Sequence, residues 1–425
     1  MCHVIGDEKE ATLRNGFTET YDQLKKLDRH PMSVQIPNSV EPLHIQLTTV
    51  HVMDFKCMYL CAGHLGWAAN GYFSVLCKCL MKKGGVSSCA CELTTNEEYQ
   101  RLVQHAREKF ELCTLEEYEK WIRQENYGVR HNGALVDVID MDYLYVDTFH
   151  TKSNMTVSFA MAFMKYLCLM EDHDDESLTK GWLDIVSTLG FDVYTIEDYS
   201  EMKRPGLLGN DCSAFRKAFF GNQKENHWKT IENLGDMIIE SNGEVSVHAL
   251  LAHMHGPLSM YLVDNLEIID GSFIANLIIS WVLFLTIYEE MTSLETNDDR
   301  ICRVTVLSST FSKYAALSVF ESFTEKDGEP TMYGHVIGSL IPKLIKRFYQ
   351  QSGKGYGYLS MQSVEHVNKQ CKRWYSTRTN FQTNKENYDA IASLLYLSKN
   401  RMLEYDFHGK TKGEIQHLVK KEQYG

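Results

Sequence analysis

The sequence predicts an α/β chain: a short strand-bearing region opens onto a long, mostly helical stretch, and a basic helical end closes the core. Three observations carry this expectation. Residues Leu43 to Met53 (LHIQLTTVHVM) are rich in β-branched and apolar side chains with partial alternation, the pattern of a buried strand. Most segments beyond it place apolar residues at helical spacing among charges. The charge is also lopsided. Of a formal −13 over 425 residues, the stretch Ile341 to Gly425 holds fifteen Lys and Arg against seven Asp and Glu, or +8, leaving −21 for residues 1–340.

The chain reads as four segments. Residues 1–39 form an N-terminal segment that begins MCHVIGDEKEATLRNG and lacks the apolar region of a secretory leader, so the expected compartment is nuclear or cytoplasmic, not secreted. Residues 40–76 form the first part of the core: the strand delivers Asp54 at its C-terminal end, and Phe55 to Leu65 reads as a helix. Residues 77–340 form a mostly helical insertion with a Cys-rich start, within the Gly/Cys-rich run Gly71 to Cys91. In it, Asn96 to Asn126 is helical in spacing. Val136 to Val146 is a strand or extended approach to Asp147, and a helix is expected from Thr156 to Met170. The apolar run Phe273 to Tyr288 contains Asn276, Ser280 and Thr286 and is bounded by acids. It falls short of the roughly 20 apolar residues of a membrane span, so a buried helix and no membrane partner are expected.

Residues 341–425 close the core. His335 to Phe348 reads as an apolar helix with a bend at Pro342, and SGKGYGY lacks the spacing of a phosphate-binding loop, so it reads as a turn. Met361 to Arg378 is the last helical block. Steps of three and four residues bring Glu365, Lys369 and Lys372 near one face, with Arg373 and Arg378 adding to the positive charge.

A content of 44% hydrophobic and 23% charged residues excludes a disordered chain. The summed charge argues against a nucleic-acid partner, but a basic end on an acidic body restores that class. Twelve cysteines with no leader ahead of them read as reduced thiols. His248, His253 and His255 are spaced i, i+5 and i, i+7, which does not align them on one helical face, and the run Glu171 to Glu176 reads as a solvated loop. Phosphodiester cleavage by two Mg2+ ions needs carboxylates converging from separate elements, because hard cations take oxygen ligands. Asp54 and Glu365 are candidates of this kind, although pattern alone does not single them out among 56 acids.

Resemblance does. The segment SMQSVEHVNK (Ser360 to Lys369), followed by RWYSTRT, resembles the closing helix of DDE transposases of the Transib and recombination-activating group. There a Ser-Glu-x-x-x-Glu-x-x-Asn-Lys run carries the last catalytic acid; Glu365, Asn368 and Lys369 match it, and Met361 departs. IPKLI (Ile341 to Ile345) is similar to the Val-Pro helix of that family, and Met53 to Cys77 to its Gly-Asp-x-Lys-Phe segment and Cys-x-x-Cys pair. YVDTFH (Tyr145 to His150) resembles its Asp-x-Leu-His motif, and the stretch GFDVYTIEDYSEMKRPGLLGNDCSAFRKAF its Leu-x-Gly-Asn segment. The matches are collinear from about residue 43 to 405.

The resemblance implies an incomplete ribonuclease-H-like core interrupted by the helical insertion. It further implies an ancestral activity of metal-dependent DNA cleavage and strand transfer, with DNA as partner and a homodimer as assembly. Asp54, as second catalytic acid, and Glu365 would hold Mg2+ or Mn2+, while Lys369, Lys372, Arg373 and Arg378 would contact phosphates. The family's first acid precedes the second by roughly a hundred residues. Only 53 residues precede Asp54, and Asp7, Asp22 and Asp28 are no substitute, so an N-terminally incomplete, catalytically impaired protein is expected. The alternative is a non-enzymatic DNA-binding or interaction module. Asp147 and His150 are expected in a supporting or structural role. The family's zinc site takes two Cys and two His: Cys77 and His335 match, whereas Ser74 and Leu340 stand in the other places. Cys79, Cys89 and Cys91 lie close by, but Cys-x-Cys is an uncommon zinc spacing, so both a zinc remnant and buried thiols stay open.

Overall fold

A computed structural model describes residues 22, 26, 32–35, 41, 43–45, 49–65, 74–79, 91–134, 139–170, 177–188, 209–221, 227–267, 269, 271–319 and 332–361. The chain divides into two units, Met1–Ser360 and Met361–Gly425. The expected closing helix falls in the second, which lies outside the described residues except for Met361.

The described residues are mostly helical, with two small sheets. The expected strand at Leu43 to Met53 is two: β2 (Leu43–Ile45) pairs antiparallel with β1 (Met32–Val34), and β3 (His51–Met53) pairs parallel with β4 (Leu144–Val146). Parallel strands require a crossover. Here it contains α1 (Phe55–Cys61), α2 (Asn96–Leu112) and α3 (Leu115–Gln124). The single helical stretch expected from Asn96 to Asn126 breaks at Cys113 and Thr114 because Thr114 starts a new helix. Its side chain takes the Glu117 N–H and the Glu117 carboxylate takes the Thr114 N–H, a reciprocal cap.

Beyond β4 come α4 (Thr148–Met170), α5 (Ser177–Thr188), α6 (Gly209–Phe220), α7 (His227–Glu240), α8 (Val247–Leu251), α9 (Pro257–Asp264), α10 (Gly271–Thr292) and α11 (Asp298–Ala316). The apolar run forms α10, which is buried nearly all round and is the axis of the core. By length and composition α10 is long and apolar enough to cross a membrane, yet 78% of its most apolar stretch is inside the protein. Two of its hydroxyls are satisfied within the helix: Thr286 Oγ1 donates to Val282 O at 2.9 Å and Ser280 Oγ to Asn276 O at 2.7 Å. Trp281 meets Phe159 of α4 and Phe215 of α6 with ring centres 5.0 and 5.3 Å apart. Arg303 of α11 ties the layers together, binding Asp236 of α7 at 2.8 Å and Glu290 of α10 at 3.0 Å.

The chain then forms α12 (Met332–His335), a π turn (Val336–Leu340) and α13 (Ile341–Ser352). Where a bend at Pro342 was expected, a π turn ends at Leu340 and Pro342 sits in the first turn of α13. Proline has no N–H to offer the carbonyl four residues back. That carbonyl, Gly338 O, accepts Ser312 Oγ of α11 at 3.0 Å instead. The glycine-rich turn after α13 is a close approach of backbones: a Cβ on Gly355 would lie 2.3 Å from Ser293 O, and one on Gly357 2.2 Å from Thr292 O. From this side α13 fixes β4. Arg347 donates to Leu144 O at 2.7 Å, and Tyr356 Oη donates to Val146 O at 2.9 Å.

Candidate functional site

Two constellations stand out. The first is built from cysteines. Cys77 and Leu93 form an antiparallel bridge, and Thr94 N donates to Leu76 O at 2.9 Å, which sets the Cys77 strand edge beside Cys91. A turn in which Ser74 N donates to Cys79 O at 3.4 Å curls Cys79 back toward the same point. His335, at the end of α12, arrives from the other side, its Nε2 at 3.2 Å from Cys77 Sγ and 3.8 Å from Cys91 Sγ. One ligand atom from each of Cys77, Cys79, Cys91 and His335 lies within 4.8 Å of the others. Four ligands about 2.1–2.3 Å from a tetrahedral ion would stand roughly 3.5–3.8 Å apart, so the cluster is of a size to close on one metal.

Its electrostatics suit a cation. The Cys77 thiol is pulled down to about 4, first by its hydrogen bond with Cys79 and then by His335, against the opposing effect of burial. Cys79 moves the opposite way because the Cys77 thiolate and burial both disfavour a second negative charge. A metal would remove that conflict by pairing with both thiolates. Cys91 is disulfide-bonded, so reduction is needed to free its thiol; Cys57, Cys61, Cys77, Cys79, Cys113, Cys212 and Cys302 are free. Lys343 of α13 holds the Cys91 carbonyl and pairs with Glu92 at 3.3 Å.

The expected Cys77 and His335 are therefore brought together, and Cys79 and Cys91 complete a Cys3His set. Ser74 and Leu340 are not ligands: Ser74 Oγ accepts from Leu76 N at 3.2 Å, and Leu340 is fully buried in the core. Cys89 lies outside the described residues. The uncommon Cys-x-Cys spacing is workable because the bridge at Cys77 and Leu93, not helix periodicity, positions the ligands.

The second constellation is a pair of acids. The register Met53↔Val146 of the parallel strands β3 and β4 puts the next residues, Asp54 and Asp147, side by side at the C-terminal edge, where Asp147 N donates to Met53 O at 3.3 Å. Each aspartate starts the helix leaving its strand. Asp54 Oδ1 accepts Cys57 N at 2.8 Å, and Asp147 Oδ2 accepts His150 N at 2.9 Å. His150 Nδ1 also lies 2.6 Å from Asp147 Oδ2, which fixes the orientation of that buried carboxylate. Asp54 is half-buried. The sequence marks Asp54 as a candidate acid and Asp147 as a supporting residue; the parallel pairing that joins them spans 93 positions.

Glu365, Lys369, Lys372, Arg373 and Arg378 lie outside the described residues, as does the acidic run Glu171 to Glu176. His248, His253 and His255 are exposed and belong to no ligand cluster among the described residues. Compared with protein-family models and with curated proteins, the chain matches none.

Proposed function

We propose that this chain is a DDE-type, transposon-derived protein whose chemistry is metal-dependent cleavage and strand transfer of DNA. The observation that carries the reading is the placement of Asp54 and Asp147 after adjacent parallel strands. Helix capping accounts for each aspartate alone, but not for their delivery to one sheet edge. A two-metal phosphodiester site needs this convergence of carboxylates from separate elements. The separation of 93 residues agrees with the spacing of roughly a hundred between the first and second acids of the family that the sequence resembles. On this reading Asp54 is the first acid and Asp147 the second, and the family resemblance makes Glu365 the candidate for the third. An acid ahead of Asp54 is then not needed, and the protein is catalytically competent. The small parallel sheet is the surviving part of a ribonuclease-H-like core.

The Cys3His cluster belongs to the same reading as a structural zinc centre that ties the Cys-rich segment to α12 ahead of α13. With all four positions filled by protein, it is a closed site that holds structure and leaves no place for a substrate. The basic residues Lys369, Lys372, Arg373 and Arg378 bind DNA phosphates, and the protein works in the nucleus. The test is nicking of supercoiled plasmid with Mg2+ or Mn2+. Wild type nicks, and Asp54→Asn, Asp147→Asn and Glu365→Gln each abolish it. Nicking that survives Asp147→Asn at wild-type rate overturns the assignment of the acid pair.

A further inference from the structure

One turn beyond Asp147, helix α4 presents Lys152 to a corner where α6, α7 and α10 meet. Lys152 Nζ stands over the ring of Tyr288 at 5.3 Å, and the guanidinium of Arg216 stacks on Trp228 at 4.3 Å. Both cations are half-buried: burial, the largest cause, and, more weakly, Arg216 push the Lys152 ammonium down, and burial pushes Arg216 down. Cys212, one turn before Arg216 on α6, is buried and acts the opposite way on Lys152, favouring its charged form, but it is not a carboxylate partner for either cation. Among the described residues neither cation has an ion pair, and Arg216 Nε is buried without a hydrogen-bond partner. The acid that acts on Arg216 is Glu289, itself lifted to about 7 by burial and by Glu232 and Glu290, so it is only partly charged at neutral pH.

Two adjacent, partly desolvated cations without an anion are an unfavourable arrangement unless something negative joins them. Arg216 offers a planar fork of donors and Lys152 a point charge, the combination that suits phosphate oxygens. The aromatic faces of Tyr288 and Trp228 hold both side chains in place while leaving their N–H groups unspent. Tyr288 also feels the charge of Asp147, so this corner is electrostatically within reach of the acid pair.

We propose that Lys152 and Arg216 form an anion subsite that takes a phosphate group of a nucleic-acid backbone next to the Asp147 strand end. The proposal rests on the reading of DNA as substrate for its source of phosphate, but not on cleavage. It therefore calls for binding measurements on the full chain in EDTA, where no metal-dependent chemistry runs. Inorganic phosphate at fixed ionic strength should raise the melting temperature of wild type, and that of the exposed-site control Lys313→Met, while Lys152→Met and Arg216→Met should not respond. A fluorescent 12-nucleotide single strand should bind about tenfold more weakly to either variant, with the salt slope reduced by about one per residue removed. Lys152→Arg should restore most of the affinity, which separates loss of the cation from misfolding.

Variants that respond to phosphate and bind the oligonucleotide like wild type overturn the subsite. A phosphate response lost in the variants, with oligonucleotide affinity unchanged by them, overturns the nucleic-acid source. Loss of plasmid nicking alone, with both binding arms as expected, counts against the acid pair and not against this site.

Discussion

The Cys3His cluster makes the most quantitative prediction, through His335→Ala. His335 is fully buried and its Nε2 approaches two sulfurs, at 3.2 and 3.8 Å. Two effects act together on removal. Deleting a buried ring leaves a cavity that costs about 2–4 kcal/mol in any core. Losing one of four ligands also removes metal-linked stability, which at free zinc 1,000-fold above its dissociation constant is about 4 kcal/mol. For a folded unit of this size each kcal/mol moves the melting temperature by about 2–4 °C, so the metal's share is about 8–16 °C. The two effects separate with a chelator. Protein purified under reducing conditions, to free Cys91, should carry one zinc per chain by elemental analysis and lose about 8–16 °C when the metal is stripped. His335→Ala should melt lower and show no further change with chelator, and His335→Cys should recover zinc and most of the chelator response. Wild type with no zinc after reduction, or a chelator response equal in wild type and His335→Ala, refutes the site.

Other outcomes rest on particular contacts. Gly355→Ala and Gly357→Ala each force a Cβ to within 2.3 Å of a backbone oxygen, and each should destabilise by at least about 2 kcal/mol in chemical denaturation. Thr114→Ala removes a reciprocal cap and should cost about 1 kcal/mol by the same measurement. Glu289 has a folded pKa raised to about 7 from its ordinary 4.5, chiefly by burial. Its protonated form is bound more tightly in the folded state, so stability falls as pH rises from about 4.5 through 7. Glu289→Gln should flatten that part of the stability–pH curve and be the more stable protein at pH 8; an unchanged slope would contradict burial as the cause.

Much of the core was legible because it rests on periodicity. An apolar run too long and too continuous for a surface helix had to be α10, and Asn276, Ser280 and Thr286 announced that it packs against protein. Pro342 marked the irregularity at the start of α13, where the π turn ends, for a similarly local reason. What the sequence did not show depends on pairing across distance. The strand Leu43 to Met53 divides because β2 and β3 pair with different partners, β1 and β4, which no alternation pattern encodes. Cys77 and His335 were visible as a remnant of a known pattern. Cys79 and Cys91 join the candidate cluster only through the bridge at Leu93 and the turn at Ser74. Asp54 and Asp147 were each singled out, but their placement side by side after β3 and β4 was not, and the proposed acid pair rests on that placement. A signal was present all the same: LYVD and HVMD each end an apolar strand in an aspartate ahead of a helix, the same local design used twice.

Whether Asp54 and Asp147 share a divalent cation decides the proposed function most directly. Titration of Mn2+ into the metal-stripped 425-residue chain, followed by water-proton relaxation, measures this without any DNA or turnover. Asp54→Asn and Asp147→Asn should each weaken binding at least tenfold while leaving the melting temperature within a few degrees of wild type. Mn2+ affinity that is the same in wild type and both variants would contradict the shared site.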